Sequence, residues 1–428
     1  VSWAPLTDAD REEMLAVIGV KQIEDLFDTI PATAKVKSWD LPAGMSEMAV
    51  REELGRLADR NQPEAISFLG GGYYDHYIPA AVDALSGRSE FYTAYTPYQP
   101  ECAQGTLQSI YEYQTAICRL SGMEFANASL YEGGTAVFEA ATMAMRLTDR
   151  AKIVVHASLS PIYRKQLETH TASLPVEIVN GEDPTDAACV IVQNPSFLGE
   201  LADFTALGKR CQAAGALLVM SFYPISLGIV KTPGEMGADI AIAEGQSLGI
   251  PLAFGGPYLG ILATLKKHVR KMPGRIAGAT TDNQGRRGFV LTLQAREQHI
   301  RRAKAMSNIC SNQALCALRA LIFMSLYGKE GFRDLARQCH SKAEYLKKKL
   351  SFAQLISRGA TFNEFAVRLP RNAEEVVAKL AAKGYQAGLP LAHLGAGGPN
   401  DLLIAVTERR TKAQLDAFAQ ALQEVACN

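Results

Sequence analysis

The stretch AEGQSLGIPLAFGGPYLG, residues 243–260, decides how this chain is read. An apolar run from Ala238 to Ala243 leads into it and reads as a buried strand. Glycines at 245, 249, 255, 256 and 260 and prolines at 251 and 257 follow. Glycine has no Cβ, so such a loop lets backbone come close to a bound molecule or a neighbouring segment. Yet no Lys, Arg or His stands between Thr232 and Leu265. The loop is built like a catalytic turn, and near its start stands Gln246.

Around this loop, short apolar strands alternate with helices. The strands are KIVVHA, VEIV, ACVIVQ, ALLVM, DIAIA and LGILAT, and helices fit 160–170 and 203–214. Strands without polar alternation, separated by helices, predict a largely parallel sheet covered on both faces. Upstream, ASLYEGGTAVFEAATMAMRLT is a glycine-rich turn running into an amphipathic helix. Before it, ECAQGTLQSIYEYQTAICRLSG is a helix with Gly122 as its C-terminal cap. Residues 1–62 read as a helical arm, with a Thr7-x-x-Asp10 capping box, a short helix in KQIEDLFDTI and another in SEMAVREELGRLADRN. Residues 63–290 read as the large α/β domain. Residues 291–428 read as one long helix, TLQAREQHIRRAKAMSNICSNQALCALRALIFMSLYG, followed by two strand–helix pairs that make a small α+β domain.

The bulk composition excludes several classes. The 428 residues exceed what one core supports, so more than one domain is expected. Lys+Arg and Asp+Glu both number 44, which gives no electrostatic reason to expect nucleic acid or an anionic membrane. No apolar stretch reaches the ~18–20 residues of a membrane helix. The first residues lack the apolar core of a signal peptide. The eight cysteines (102, 118, 189, 211, 310, 316, 339, 427) form no CxxC and no zinc-type spacing with histidine. They read as reduced thiols of a cytoplasmic protein, and no metal site is expected.

Several segments could carry chemistry. FYTAYTPYQPE (91–101) is stiffened by two prolines and displays Tyr92, Tyr95 and Tyr98 beside Gln99. It suits a wall for a planar ligand, or a rigid subunit contact. YEGGTA (131–136) sets two glycines and Thr135 at a helix start, where free amides can hold an anion or the side chains can simply cap the helix. Ser221 ends the strand ALLVM. The run 294–310 concentrates Arg296, His299, Arg301, Arg302 and Lys304, then Ser307, Asn308 and Cys310. His76, among aromatics in YYDHYIP, reads as a structural histidine, and Lys152 and Lys165 as surface charges.

Taken together, these segments resemble one family, the P-protein of the glycine cleavage system, a glycine decarboxylase. FLGGGYYDHYIP, FYTAYTPYQPECAQGTLQ, ANASLYEGGTAVFEA, GQSLGIPLAFGGPYLG and the run from MPGRIAGATTDNQG to SNIC carry the likeness, which covers nearly the whole chain. More narrowly, the chain resembles the N-terminal half of that protein, which in some bacteria is a separate chain.

The resemblance implies a fold-type-I, aminotransferase-like architecture. It implies a homologous partner subunit that binds pyridoxal phosphate covalently, with Gln246 at the position of the cofactor lysine and Ser221 at that of the aspartate facing the pyridine nitrogen. No catalytic residue is then expected in this chain. With its partner, in an α2β2 assembly, it would decarboxylate glycine and pass the aminomethyl group to the lipoyl arm of the H-protein. Tyr95, Tyr98, Gln99, His299, Arg301, Ser307, Asn308 and Cys310 are the residues expected to face that shared site. The rivals are a scaffold that touches no substrate and an independent enzyme using a displaced lysine, Lys231 or Lys266.

Overall fold

The strand Leu217–Phe222 is buried along its whole length, because apolar side chains leave both of its faces. It is the centre of a seven-stranded sheet in the chain's structure, a computed structural model that describes residues 5–36, 38–61, 64–92, 95–309 and 312–427. Two compact units are present, 1–63 and 64–428.

In the first unit, α1 (Asp8–Ile18) begins at the expected capping box, with Thr7 N–H donating to Asp10 at 2.7 Å and Gly19 closing the helix at φ 87°. KQIEDLFDTI makes only a 3-10 turn, Ile23–Phe27, and α2 spans Glu47–Ala58. No residue of these elements is buried, and Val17 and Trp39 are 84% and 75% exposed. Among the described residues of this unit, the apolar side chains form no core.

The second unit is built on the sheet of β1 (Phe125–Ala126), β2 (Lys152–Val155), β3 (Glu177–Asn180), β4 (Ala187–Asn194), β5 (Leu217–Phe222), β6 (Ile240–Glu244) and β7 (Gly260–Thr264). Its order is β1-β7-β6-β5-β4-β2-β3. The strands from β3 to β6 run parallel, whereas β7 and β1 are antiparallel to their neighbours. Helices α3 (Gln104–Ser121), α4 (Gly133–Thr148), α5 (Pro161–Thr171) and α6 (Thr205–Ala214) connect and cover these strands. Gly122 caps α3 at φ 73°. Along α4, Ala136, Ala140, Ala141 and Ala144 are wholly buried, and their small size lets the helix lie close on the sheet.

Past 264 the chain departs from expectation. The helix expected to start near 290 is preceded by an antiparallel hairpin, β8 (Ile276–Thr281) and β9 (Arg287–Thr292). Asp282 accepts the backbone N–H groups of Gln284 and Arg286, and Gly285 turns at φ 76°, which closes the hairpin. Leu293 and Arg302 take positive φ of 55° and 51°, so 294–304 forms short turns rather than one helix. Arg296 is buried there and donates to the carbonyls of Met272 and Gly274. The long helix α7 (Ala314–Lys349) starts later than expected and breaks at Gly328, φ 59°. Gly328 ends one helix, as its sequence suggests, and a second continues through 329–349.

The C-terminal part is an antiparallel sheet of β10 (Gln354–Leu355), β11 (Glu364–Arg368), β12 (Leu389–Pro390) and β13 (Asp401–Ala405), in the order β10-β11-β13-β12. Its buried Phe365, Val367, Leu402 and Ile404 share a cluster with residues of α8 (Ala373–Ala381) and α9 (Lys412–Cys427).

Candidate active-site cavity

In an open parallel sheet, ligands bind at the carboxyl ends of the strands. Here those ends bring Gln193 of β4, Ser221 of β5 and Glu244 of β6 to one cavity. Gln193 and Ser221 stand side by side in register. Gly71, Gly72 and Tyr74 of a glycine-rich strap also line the cavity, with Tyr163 from α5 and Asn363 and Glu364 at the start of β11. Gly199 allows the walls to meet: a Cβ there would lie 1.8 Å from the Glu364 carbonyl oxygen. The space left is about 30 Å³, room for about two water molecules.

The chain's own side chains occupy the rest. Glu244 is buried, and its carboxylate accepts the N–H groups of Gly133 at 2.9 Å, Gln246 at 2.8 Å and Leu259 at 3.2 Å. Burial outweighs those three donors and pushes its pKa up to about 8. Glu364 accepts Gly71 N–H at 2.6 Å and the Tyr74 hydroxyl at 2.8 Å, and burial pushes its pKa up to about 7. Burial likewise holds the Tyr74 and Tyr163 phenols far above their ordinary range.

The start of α4 resolves the choice left open by YEGGTA. Glu132 accepts Thr135 N–H at 2.7 Å and the Gln166 amide at 2.6 Å, while Gly133 N–H is held by Glu244. Gly134 lets Gln166 lie close, since a Cβ would sit 1.7 Å from its Oε1 and the amide would have to swing away. Side-chain oxygens of the chain itself thus take the Gly133 and Thr135 amides at the helix start, which is the capping alternative.

Gln246 is a strut. Tyr74 N–H donates to its Oε1 at 2.9 Å, and its Nε2 donates to the carbonyls of Tyr74 at 3.2 Å and Ile250 at 2.9 Å. Both ends of the amide are thus spent on tying the strap to the glycine loop. Ser221 is buried and lines the cavity. Lys231, one of the displaced-lysine candidates, pairs with Asp203 at 2.6 Å, and Lys266 is exposed. Lys152 donates to the Thr185 carbonyl at 3.0 Å.

The other expected residues do not line this cavity. Tyr98 is 47% exposed and joins a cluster: Arg275 donates to its hydroxyl at 2.5 Å, and the His299 ring lies edge-on at 5.8 Å. Glu297 pairs with Arg275 at 3.2 Å. Tyr95 is 73% exposed, and Gln99, Arg301 and Asn308 are exposed as well. Ser307 donates to buried Glu139 at 2.8 Å. Cys310 lies outside the described residues. Sequence reasoning missed Glu244, Glu364 and Glu132. A lone glutamate at the end of the apolar strand DIAIAE was the available signal for the first.

A sequence profile for the glycine cleavage system P-protein matches residues 2–422. The chain belongs to that family. Probable glycine dehydrogenase (decarboxylating) subunit 1 of Geotalea daltonii is 54% identical, with 99% of each chain covered. The protein of the same name from Maridesulfovibrio salexigens is 52% identical over 98% of this chain and 99% of its own. A crystal structure of glycine decarboxylase (P-protein) of the glycine cleavage system, in inhibitor-bound form, superposes with a TM-score of 0.93 at 42% identity, covering 99% of this chain and all of that one. A cysteine desulfurase from Thermococcus onnurineus shares the fold, with a TM-score of 0.65 at 14% identity over 90% of this chain and all of the other. This P-protein family chain therefore has the fold-type-I architecture of pyridoxal-phosphate enzymes. No helix among its described residues is long and apolar enough to cross a membrane.

Proposed function

We propose that this chain is the subunit of a two-subunit glycine decarboxylase that does not itself hold pyridoxal phosphate. The observation that carries the reading is the closed cavity. The cofactor implied by the fold does not fit: at the strand ends about 30 Å³ is open, against the ~300 Å³ or more of an ordinary ligand pocket, and the roomier cavity that Gln246 also borders is lined by no lysine. The helix start that would face a phosphate is taken by Glu132 and Glu244, and Gln246 offers an amide in place of an amine. No step of the reaction is routed through a cofactor on this chain.

The catalytic work then lies with a homologous partner that carries the cofactor lysine. Together the two subunits decarboxylate glycine and deliver the aminomethyl group to the lipoyl arm of the H-protein, in the cytoplasm, as an α2β2 assembly. Obligate interfaces of this kind bury ~2,000–5,000 Å² and are apolar. The first unit supports such a contact, since Val17, Trp39 and Met48 are exposed side chains without a core. Tyr95, Tyr98 and Gln99, with His299, Arg301, Ser307, Asn308 and Cys310, are proposed as this chain's wall of the shared site. The exposed Tyr95 and the half-exposed Tyr98, anchored by Arg275, support a surface that presents hydroxyl and imidazole groups outward.

The test is to add pyridoxal phosphate to the purified chain, reduce with borohydride and map labelled lysines, then repeat with the partner subunit present. The expected result is no specific label on this chain and stoichiometric label on the partner. A single labelled lysine in this chain alone would overturn the reading.

A further inference from the structure

No zinc-type spacing is visible in the sequence, yet folding brings one trio of metal-ligating groups together among the described residues: His76, Cys339 and Glu408. Their ligand atoms all lie within 4.8 Å of one another. They come from the strap, from the second segment of α7 and from the turn after β13, so only the tertiary fold unites them. The Cys339 residue is wholly buried, and the side chains of His76 and Glu408 are 2% and 11% exposed.

We propose that this trio is a structural site for a zinc-like divalent cation. A tetrahedral zinc ion bonds nitrogen and oxygen at ~2.0 Å and thiolate at ~2.3 Å, which sets its ligand atoms roughly 3.3–3.6 Å apart. Glu408 Oε2 already lies 3.6 Å from Cys339 Sγ. It lies 2.7 Å from His76 Nδ1, so that pair must open by roughly 0.6 Å to take the ion. One thiolate, one carboxylate and one neutral imidazole leave a divalent ion with no net charge, which suits a buried centre. The sulfur and nitrogen ligands favour zinc over magnesium or calcium.

The groups around the trio are those a metal site needs. Tyr223 OH contacts His76 Nε2, the ring nitrogen turned away from the ion position, and so orients the imidazole. Tyr77 N–H donates to the second Glu408 oxygen at 2.6 Å, and Lys342 donates to the Glu408 carbonyl. His76 also borders an open cavity of about 340 Å³ lined by Asp75, Tyr77, Gln246 and Arg409. That cavity lies against one member of the trio, the only one of the three that lines it. In the metal-free chain the same atoms are joined by hydrogen bonds, with Cys339 donating to Glu408. Loading exchanges these bonds for metal bonds. The thiol proton leaves to solvent, and the imidazole proton moves to Nε2, which then donates to the Tyr223 oxygen. No redox change is involved. The ion would pin the strap to the long helix and to the C-terminal part.

The test uses the purified full chain, stripped of metal and titrated with Co²⁺ as the optical probe for zinc. The expected result is one equivalent bound with a thiolate-to-cobalt charge-transfer band, and displacement by Zn²⁺. Cys339→Ser abolishes the band. Glu408→Gln weakens binding by roughly tenfold or more. A double variant of the exposed cysteines, Cys102→Ser with Cys427→Ser, leaves the titration unchanged. X-ray absorption of the zinc-loaded wild-type chain, which needs no variant to fold, shows one sulfur among nitrogen and oxygen neighbours. Absence of the band at one equivalent, its persistence in Cys339→Ser, or a zinc shell without sulfur would overturn the proposal.

Discussion

Gln246→Lys returns an amine to the glycine loop and asks whether an amine is all that the cavity lacks. The structure answers on two counts. The amide of Gln246 accepts Tyr74 N–H and donates to the carbonyls of Tyr74 and Ile250. An ammonium can replace the donors and cannot accept, so Tyr74 N–H is left buried without its partner, at about 1–3 kcal/mol. Placing a charge at a site only 3% exposed adds a comparable cost. The expected loss is about 3 kcal/mol, read as a lower urea midpoint than wild type. The cofactor count is separate: the cavity of about 30 Å³ stays too small, and the start of α4 stays capped by Glu132 and Glu244. The assay is absorbance with added pyridoxal phosphate, borohydride reduction and peptide mapping. A chromophore saturating at one equivalent and fixed to the introduced lysine would refute the reasoning, because the strap and α4 would then have opened to admit the ring and its phosphate.

Three more perturbations probe other parts. With the partner subunit bound, Tyr95→Ala is expected to lower turnover by roughly tenfold or more, about 1.4 kcal/mol or more in barrier, while sedimentation shows the assembly intact; unchanged turnover would favour the scaffold reading. Gly199→Ala forces a Cβ to 1.8 Å from the Glu364 carbonyl oxygen at φ 85°, so a loss of about 3–4 kcal/mol is expected in urea unfolding. Gly237→Ala, at φ 80° with nothing within 4 Å, is expected to cost only about 1–2 kcal/mol. Glu244 and Glu364 have pKa values raised to about 8 and about 7 from 4.5. The native state therefore holds protons that the unfolded chain has lost. Their contribution is complete below pH ~4.5 and disappears as pH rises through ~7–8. Glu364→Gln should flatten the fall in urea midpoint between about pH 5 and 7, and an unaltered slope would show that Glu364 is not its source.

The parallel strands were legible because each is a short apolar run with turn residues on both sides. Gly122 and the Thr7–Asp10 box announced their helix ends through chemistry local to a few residues. The hairpin at 276–292 was missed although Asp282-Asn283-Gln284-Gly285 is a turn signal. Its strands carry Gly278, Thr280, Thr281 and Gly288, which blur the alternation on which strands are recognised. The segment 294–304 looked helical by composition, and the positive φ of Leu293 and Arg302 overrides that preference. At the site, Gln246 and Ser221 stood out because the resemblance marked their positions. The residues that close the cavity are far apart in the chain: Tyr74 meets Glu364 across 290 positions. No periodicity reports such a contact. Nor could spacing reveal that His76 and Glu408, 332 positions apart, share a hydrogen bond.

The two carboxylates at the start of α4 have a consequence for the life of the protein before assembly. A fold that depends on a small molecule gains stability as that molecule becomes abundant and loses it in scarcity. Here the first amides of the helix are answered by the oxygens of Glu132 and Glu244, which are synthesised with the chain. On the proposed function, its survival as a newly made subunit does not depend on the supply of pyridoxal phosphate. If the proposed division of labour holds, a cell starved of that vitamin would keep this subunit folded until a loaded partner is made.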